Sequence, residues 1–446
     1  MAKKGNIVKK TKENLITLTV VFTVIAWGMT LSMILIDREA LAQEELIKEA
    51  AGYLEEKLYI RAVQNYQEAL NKYDTEHNLE LEKQLAELYL EAGMTEEYYE
   101  LLESRTESGT ATEEEYQALA TYYLENENTR TALAVLNSGI EKYENKKMIE
   151  QREAIIYEHA IREIPVSELK QSKENSIIPA FDGEKWGYLS NSGSVLLDFN
   201  YEEATPFCAG YAVVKLQGVY TLIDEEGYWN AIDRNGLDSV TAVSDSAIIG
   251  IKDGQAGIYS RTFQKLSEET YDTVYMNDNG LYVVCKDGKW SILSENLKPI
   301  TEDVYTDVAV NSFGQVFYGN YAIVKDEKGY FLIDEKGKAQ YESRFVGAKG
   351  LEGGFYAVMN ENNLWGFADE RADLVIDYQY VDAYSFSGSL AAVQYGGEWG
   401  YINRYNTMII EPQYQAAYPF VADTSIVRNG QGRFEILTLK YFEEFQ

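Results

Sequence analysis

The sequence has little of the material from which common catalytic and metal sites are built. Its 446 residues include two histidines and two cysteines, which leave little for a zinc cage, a disulfide framework or a histidine-based triad. Basic residues are also scarce, because 40 lysines and arginines stand against 72 acidic residues and give a net charge of −32. A protein that binds nucleic-acid phosphates needs clustered basic residues. The composition therefore predicts neither a nucleic-acid partner nor a metal or other cofactor.

Proline is scarce as well, with six residues, whereas aromatic residues make up 13% of the chain and include 36 tyrosines. A disordered acidic tail would lack such aromatic residues, because it buries no core. The length allows two or three domains at about 150 residues each. We therefore expect a folded protein of several domains.

A run of 22 residues without a charge occupies residues 15–36, near the amino end. A helix of this length spans a bilayer core of about 30 Å, so the run predicts a transmembrane helix. Five lysines lie in a basic tail at residues 1–14, which the positive-inside rule places in the cytoplasm, with all later domains outside. The sequence thus predicts a single-pass protein of the cell membrane. A secreted protein is the alternative, since Ala40-Leu41-Ala42 resembles a signal-peptide cleavage site and cleavage would then occur near Ala42.

The next segment, residues 37–165, has apolar residues at three- and four-residue spacing and no proline before Pro165, a pattern typical of helices. Four stretches 34 residues apart share a small residue at one position and a bulky residue two places later. The small residues are Gly52, Ala86, Ala120 and Ala154, and the bulky ones are Leu54, Leu88, Tyr122 and Ile156. This spacing resembles the tetratricopeptide repeat, a helix–turn–helix unit of about 34 residues. The resemblance implies an α-helical solenoid that binds a protein partner.

A polar linker at residues 166–176 precedes a segment with alternating apolar and polar residues, residues 177–446. In that last segment one sequence motif recurs about every 35 residues. Most copies have an aromatic residue at the same position, which we name the anchor. Three of the tryptophan anchors are followed by glycine. The tryptophan anchors and their glycines are Trp186, Gly187, Trp290, Trp365, Gly366, Trp399 and Gly400.

A second periodic position lies fifteen residues after the anchor and is aromatic in six of seven copies. Five of these residues are tyrosines, namely Tyr201, Tyr271, Tyr305, Tyr380 and Tyr414. The copies also contain turn signals such as Asp-Gly between apolar stretches, which predict an antiparallel meander of three or four strands. We interpret the periodic aromatic residues as core residues that lock each meander to its neighbour. Stacking on a carbohydrate is the alternative.

One meander buries too little apolar surface to be stable alone, so the copies in series must pack on one another. The sequence therefore predicts an all-β repeat domain, with a β-propeller of seven or eight blades favoured and an open β-solenoid as the alternative. The predicted fold class is thus multidomain α plus β, with a transmembrane helix, a helical solenoid and this β domain.

The β segment resembles the WG-repeat family in three motifs and one downstream stretch. These are Lys185-Trp186-Gly187-Tyr188, Trp365-Gly366-Phe367, Trp399-Gly400-Tyr401-Ile402 and Glu411-Pro412-Gln413-Tyr414. The resemblance implies a bacterial protein with a binding or scaffolding role and no assigned chemistry.

The β segment contains no histidine, and its recurring acidic residues lie at turns, where local hydrogen bonding explains them. We therefore predict no catalytic, cofactor-binding or metal-binding residues. The predicted function is a non-enzymatic, membrane-anchored binding or scaffold protein of the bacterial cell envelope. Its helical repeats would bind a protein, and its β domain a cell-wall or extracellular ligand. The alternative is an envelope protein that binds or hydrolyses carbohydrate with acidic residues of the β domain, since a glycosidase needs only two carboxylates.

Overall fold

The computed structural model describes residues 38–72, 77–173, 176–302 and 304–441. The chain divides into two compact units, one that ends at Ile155 and one that begins at Ile156. The first unit is helical, and the second is built of β-strands, in agreement with the change of pattern in the sequence. Each unit has its own buried apolar core.

Seven helices make up the described part of the first unit. Helix α1 covers residues 38–55. The other six are α2 (Tyr59–Leu70), α3 (His77–Ala92), α4 (Thr95–Glu107), α5 (Glu113–Glu125), α6 (Thr129–Tyr143) and α7 (Lys146–Ile156). Apolar side chains at helical spacing pack α2 against α3, and a second cluster joins α5, α6 and α7.

The pattern of small residues corresponds to buried positions in the two middle copies only. Ala86 and Ala120 are buried between helices, whereas Gly52 and Ala154 are exposed. The small residue therefore permits close helix packing in α3 and α5 but has no such role at the two ends. The tetratricopeptide arrangement of this unit stays a prediction.

The predicted fold class is corrected in one component, the transmembrane helix. None of the helices among the described residues combines the length and the apolar composition that a bilayer crossing requires. Helices α1 to α7 all carry charged residues, which interrupt any apolar stretch. The predicted spanning segment at residues 15–36 and the basic tail at residues 1–14 lie outside the described residues.

The second unit is a β-propeller of eight sheets, named blades 1 to 8 in chain order. It begins with strand β1 (His159–Ile164), which belongs to blade 8. Blade 1 contains β2 (Glu168–Leu169), β3 (Ile178–Phe181), β4 (Trp186–Leu189) and β5 (Val195–Tyr201). Blade 2 contains β6 (Glu203–Ala204), β7 (Tyr211–Leu216), β8 (Val219–Asp224) and β9 (Trp229–Ile232).

Blades 3 and 4 have three strands each, and blade 5 has four. Blade 3 contains β10 (Ser239–Val243), β11 (Ala247–Lys252) and β12 (Gln255–Ser260). Blade 4 contains β13 (Thr273–Met276), β14 (Tyr282–Lys286) and β15 (Lys289–Leu293). Blade 5 contains β16 (Asp307–Val308), β17 (Phe317–Tyr318), β18 (Tyr321–Asp326) and β19 (Gly329–Asp334).

The last three blades again have four strands each. Blade 6 contains β20 (Gly347–Ala348), β21 (Tyr356–Met359), β22 (Trp365–Ala368) and β23 (Leu374–Tyr380). Blade 7 contains β24 (Asp382–Ala383), β25 (Leu390–Tyr395), β26 (Glu398–Asn403) and β27 (Met408–Tyr414). Blade 8 combines β28 (Ala416–Ala417), β29 (Thr424–Arg428) and β30 (Phe434–Leu439) with β1.

The first strand of the unit closes the ring. Strand β1 pairs antiparallel with β30, with Ile164 opposite Phe434, so blade 8 joins both ends of the unit. Ile164 packs with Ile178 of blade 1 and Ile436 of blade 8 in one core cluster. The prediction of a β-propeller is thereby confirmed, with eight blades, and the open solenoid is excluded.

The border between the two units differs from the prediction, which extends the helical segment to residue 165. Helix α7 ends at Ile156, and β1 begins at His159. Strand β30, distant in sequence, supplies hydrogen-bond partners for the backbone of β1, and this pairing overrides the local helical spacing. The predicted linker at residues 166–176 also contains a short strand, β2.

Neighbouring blades pack face to face through aromatic side chains. Tyr188 of blade 1 meets Phe207 of blade 2 edge to face, with 4.9 Å between the ring centroids. Tyr401 of blade 7 meets Phe420 of blade 8 in the same way at 5.0 Å. Both tyrosine hydroxyls donate to a main-chain oxygen of the following blade, at 2.8 and 2.9 Å. These contacts hold blade 1 against blade 2 and blade 7 against blade 8.

Candidate interaction surface

The two periodic aromatic positions of the repeat are partners across neighbouring strands. Trp186 lies opposite Tyr201, and Trp399 lies opposite Tyr414. The same pairing joins Ala256 to Tyr271, Trp290 to Tyr305 and Trp365 to Tyr380. All these side chains are buried or half-buried, and each pair lies in its own blade. The structure therefore places the periodic residues in the core and does not bring them together in a common cleft.

In blades 4 and 6, the tyrosine of the pair reaches the following blade. Tyr305 donates from its hydroxyl to the carbonyl oxygen of Gly337, at 3.2 Å, in the turn that ends β19 of blade 5. Tyr380 donates to Asn406 Oδ1 at 2.5 Å, in the corresponding turn of blade 7. Burial raises the pKa of Tyr305 and of Tyr380 to about 12, so both hydroxyls remain protonated donors near neutral pH. Tyr305 and Tyr380 thus tie blades 4 and 6 to the blades that follow them.

The glycine of the Trp-Gly pair permits a close approach of the fourth strand. A Cβ atom at Gly400 would lie 2.9 Å from the nitrogen of Pro412 and 3.0 Å from the carbonyl carbon of Glu411. Strand β27 bulges at this place. Gly187 and Gly366 occupy the equivalent places in blades 1 and 6, where β5 and β23 bulge in the same way. The glycine of the Trp-Gly pair is therefore required by the geometry of the bulged strand.

The sequence analysis missed a third periodic position. A small or β-branched residue lies eighteen places after the anchor and is buried in five copies, as Ala204, Val274, Val308, Ala383 and Ala417. In three copies a buried phenylalanine follows three residues later, as Phe207, Phe386 and Phe420. The phrase Ala-x-x-Phe was visible in the sequence. It marks the loop between the first two strands of a blade.

One tryptophan differs from the others. Trp229, at the start of β9, is 61% exposed, whereas the four tryptophan anchors are buried or half-buried. Its neighbour Tyr228 is 70% exposed, and Ile232 at the end of the strand is also exposed. We name Tyr228, Trp229 and Ile232 the aromatic edge. Exposed aromatic residues next to each other are typical of protein-interaction sites.

A tight turn precedes β9 and the aromatic edge. Asp224 Oδ1 accepts a hydrogen bond from the backbone N–H of Tyr228 at 2.8 Å. Gly227 has a φ of +82°, in the left-handed region that favours glycine. Leu197 of blade 1 lies against this turn, 3.2 Å from where a Cβ of Gly227 would be. The turn that leads into the aromatic edge therefore contacts β5 of blade 1.

The ring matches one known repeat family. The family described as WG containing repeat matches residues 186–220, 257–290, 365–399 and 399–431. The propeller contains WG repeats. Each matched segment begins at a tryptophan anchor or, at Gly257, one residue after an anchor position.

Solved structures resemble this chain only at low sequence identity. The comparison with curated proteins found no match. A solved structure described as a crystal structure of the eukaryotic initiation factor is 12% identical with a TM-score of 0.39, over 64% of this chain and 87% of that chain. The WD40 β-propeller domain of Doa1 is 11% identical with a TM-score of 0.30, over 54% of this chain and 93% of that chain.

The aromatic edge occupies positions of the repeat at which the other copies carry different residues. Trp229 follows the anchor of its copy, Tyr220, by nine residues, a position that is not tryptophan in any other copy. Sequence reasoning did not single it out, because periodicity draws attention to positions that the copies share. A tryptophan that breaks the repeat was the available signal.

A loop of blade 6 buries a carboxylate. Glu352 is 6% exposed and accepts a hydrogen bond from the backbone N–H of Ser312 in blade 5, at 2.6 Å. Its second carboxylate oxygen accepts none from the described residues. Burial raises the pKa of Glu352 to about 7. Such a pKa suits a general acid, but the side chain is enclosed between two loops and inaccessible to a polysaccharide, so we assign it no catalytic role.

The raised pKa makes the stability of the ring depend on pH. In the folded protein the Glu352 carboxyl stays protonated at pH values above its ordinary pKa of 4.5. The contribution of this group to the free energy of unfolding is therefore fully present below about pH 4.5 and is lost as the pH rises through about 7. We expect Glu352→Gln to remove this loss, which is roughly 2 kcal/mol between about pH 5 and about pH 7.5. Urea unfolding at both pH values measures the difference.

Glu361→Gln is the matched control, because it removes the same charge from an exposed side chain of the same blade. Its free energy of unfolding should follow that of the parent protein at both pH values. If Glu352→Gln shows the same pH dependence as the parent protein, the carboxyl is not held in the protonated form by burial.

Proposed function

We propose that this protein is a non-enzymatic scaffold that binds a protein partner at the aromatic edge of its propeller. The observation that carries the proposal is the exposure of Tyr228 and Trp229, at 70% and 61%. Tyrosine and tryptophan are enriched among the residues that dominate the binding energy of protein interfaces. The WG repeats and the propeller fold also suggest a protein-interaction scaffold.

The positions of the tryptophan anchors support this assignment. Trp186 and Trp399 are buried, and Trp290 and Trp365 are half-buried against the cores between blades. Side chains held in this way are not available to stack on a carbohydrate. Binding is therefore assigned to residues that the copies do not share, where an exposed tryptophan and tyrosine adjoin each other.

Three elements of the function remain predictions from the sequence. They are a protein partner for the helical unit, a cell-wall or extracellular ligand for the β unit, and a location in the cell envelope. No observation among the described residues favours the alternative of a carbohydrate-hydrolysing protein.

Site-specific cross-linking tests the proposal. A photo-cross-linking amino acid at position 228 should give one discrete adduct in cells that naturally express the protein, because this position adjoins Trp229. In the Trp229→Ser background the adduct should fall at least about tenfold, since truncation of a central aromatic residue removes much of the binding energy. Immunoblotting of the adduct measures both yields.

Position 405 provides the matched control. Tyr405 is 68% exposed and lies in a turn of blade 7, away from the aromatic edge in sequence and in blade. The cross-linker at this position should not give the adduct seen from position 228. Equal adducts from both positions, or a yield that Trp229→Ser leaves unchanged, would contradict the proposal.

A further inference from the structure

The aromatic edge lies in an acidic part of the chain. Residues 195–238 contain eight acidic and two basic residues. One of the two, Lys215, already pairs with Glu203 at 3.1 Å, and the other, Arg234, is exposed two residues after Ile232. The exposed carboxylates nearest the aromatic edge in sequence or on the adjoining strand are Asp198, Glu225 and Glu226, and they form no ion pair with another described residue. Their negative charge is therefore available to a partner.

Strand β9 lacks the charged residues and the proline that the fourth strands of three other blades contain. The fourth strands of blades 1, 6 and 7 contain Asp198, Asp377, and Glu411 with Pro412, respectively. Charges and proline on an exposed strand commonly keep it from binding other chains. Strand β9 reads Trp-Asn-Ala-Ile and contains neither. The apolar side chains of β9 are thus exposed on a strand that has no charged residue or proline to keep other chains from binding.

A second copy of this chain does not fit the surface. Each copy carries a net charge of −32, and the same acidic residues would face each other in a contact between two aromatic edges. Like charges at close range oppose such a contact. The charge of this surface therefore favours a partner with basic residues.

We infer that the aromatic edge binds a cationic protein segment in which lysine or arginine residues flank aliphatic or aromatic ones. The inference rests on the proposed function and adds the chemistry of the partner. Apolar side chains of the segment pack on Trp229 and Ile232, and its basic side chains approach Asp198, Glu225 and Glu226. A lysine or arginine also binds favourably over the face of an indole ring. Complementary charge accelerates association and selects against acidic partners.

Peptide binding to the full chain tests this inference. The probe is a fluorescein-labelled synthetic peptide of about twelve residues, made of lysine and leucine with one tryptophan. Fluorescence anisotropy should show binding that weakens at least about tenfold in Trp229→Ser. Binding should also weaken several-fold in the double variant Glu225→Gln/Glu226→Gln and on addition of salt. The same peptide with glutamate in place of lysine should not bind.

Matched variants separate this site from the general negative charge of the protein. Tyr405→Ser and the double variant Glu335→Gln/Glu361→Gln alter exposed residues of other blades. Both proteins should bind the lysine peptide as the parent protein does. Equal binding of the glutamate peptide, or binding of the lysine peptide that does not depend on Trp229, overturns the inference.

The cross-linking experiment distinguishes the two possible failures. If position 228 captures a partner that depends on Trp229 but the lysine peptide does not depend on Trp229, the proposed function stands and the charge of the partner is wrong. If neither the adduct nor the peptide depends on Trp229, the proposed function fails together with this inference.

Discussion

Replacement of Ile164 by aspartate is expected to open the ring and to lower the free energy of unfolding of the β unit by about 4 kcal/mol or more. Ile164 is 3% exposed and lies in the core between blades 8 and 1, with Leu169 and Ile436. A carboxylate among these apolar side chains loses its hydration without gaining a partner of opposite charge in the cluster. The change also weakens the pairing of β1 with β30, the contact that joins both ends of the unit.

Ile161→Asp is the matched control, since Ile161 lies on the same strand but is 52% exposed. It should change the free energy of unfolding by less than about 0.5 kcal/mol. Five of the six tryptophans belong to the β unit, so urea unfolding followed by tryptophan fluorescence reports on the ring. Similar unfolding curves for the two variants would mean that β1 does not close the ring.

Gly400→Ala should lower the free energy of unfolding by about 3 kcal/mol. The added methyl group meets the carbonyl oxygen of Ile410 and the nitrogen of Pro412, both in the bulged part of β27. This backbone cannot retreat without loss of its pairing with β26. The strain acts directly beside the pair formed by Trp399 and Tyr414, which lies at the end of the bulge.

Gly430→Ala is the control for the glycine prediction. A Cβ atom at Gly430 meets no other atom within 4 Å, and the backbone there is not left-handed. Alanine should therefore be neutral or slightly stabilising at this position. Urea unfolding compares the two variants. A loss smaller than about 1 kcal/mol for Gly400→Ala would show that the fourth strand tolerates a side chain opposite its bulge.

The propeller could be predicted from the sequence because its repeat is encoded within single hairpins. Trp186 and Tyr201 face each other across adjacent strands, so their spacing of fifteen residues recurs with the hairpin. Because a single meander has no core of its own, the meanders must pack on one another, and few folds achieve this. The strand that closes the ring could not be predicted, because β1 lies in a segment with helical spacing and becomes a strand only through its pairing with β30.

The candidate site could not be predicted from the repeat. Periodicity identifies what the copies share, and here the shared residues belong to the core. Trp229 belongs to one copy alone, and it is exposed on β9, the last strand of the sheet in blade 2. The burial of Glu352 depends in the same way on a contact with Ser312, forty residues away in the chain and in another blade.

The residues that hold the ring together are distinct from those that bind a partner. One experiment on two variants tests this separation. Cross-linking from position 228 and urea unfolding are measured in parallel on Gly400→Ala and on Trp229→Ser. We expect Gly400→Ala to unfold at lower urea concentration but to keep the adduct while it is folded. We expect Trp229→Ser to unfold like the parent protein and to lose the adduct. A destabilised Trp229→Ser, or a folded Gly400→Ala that gives no adduct, would contradict this separation.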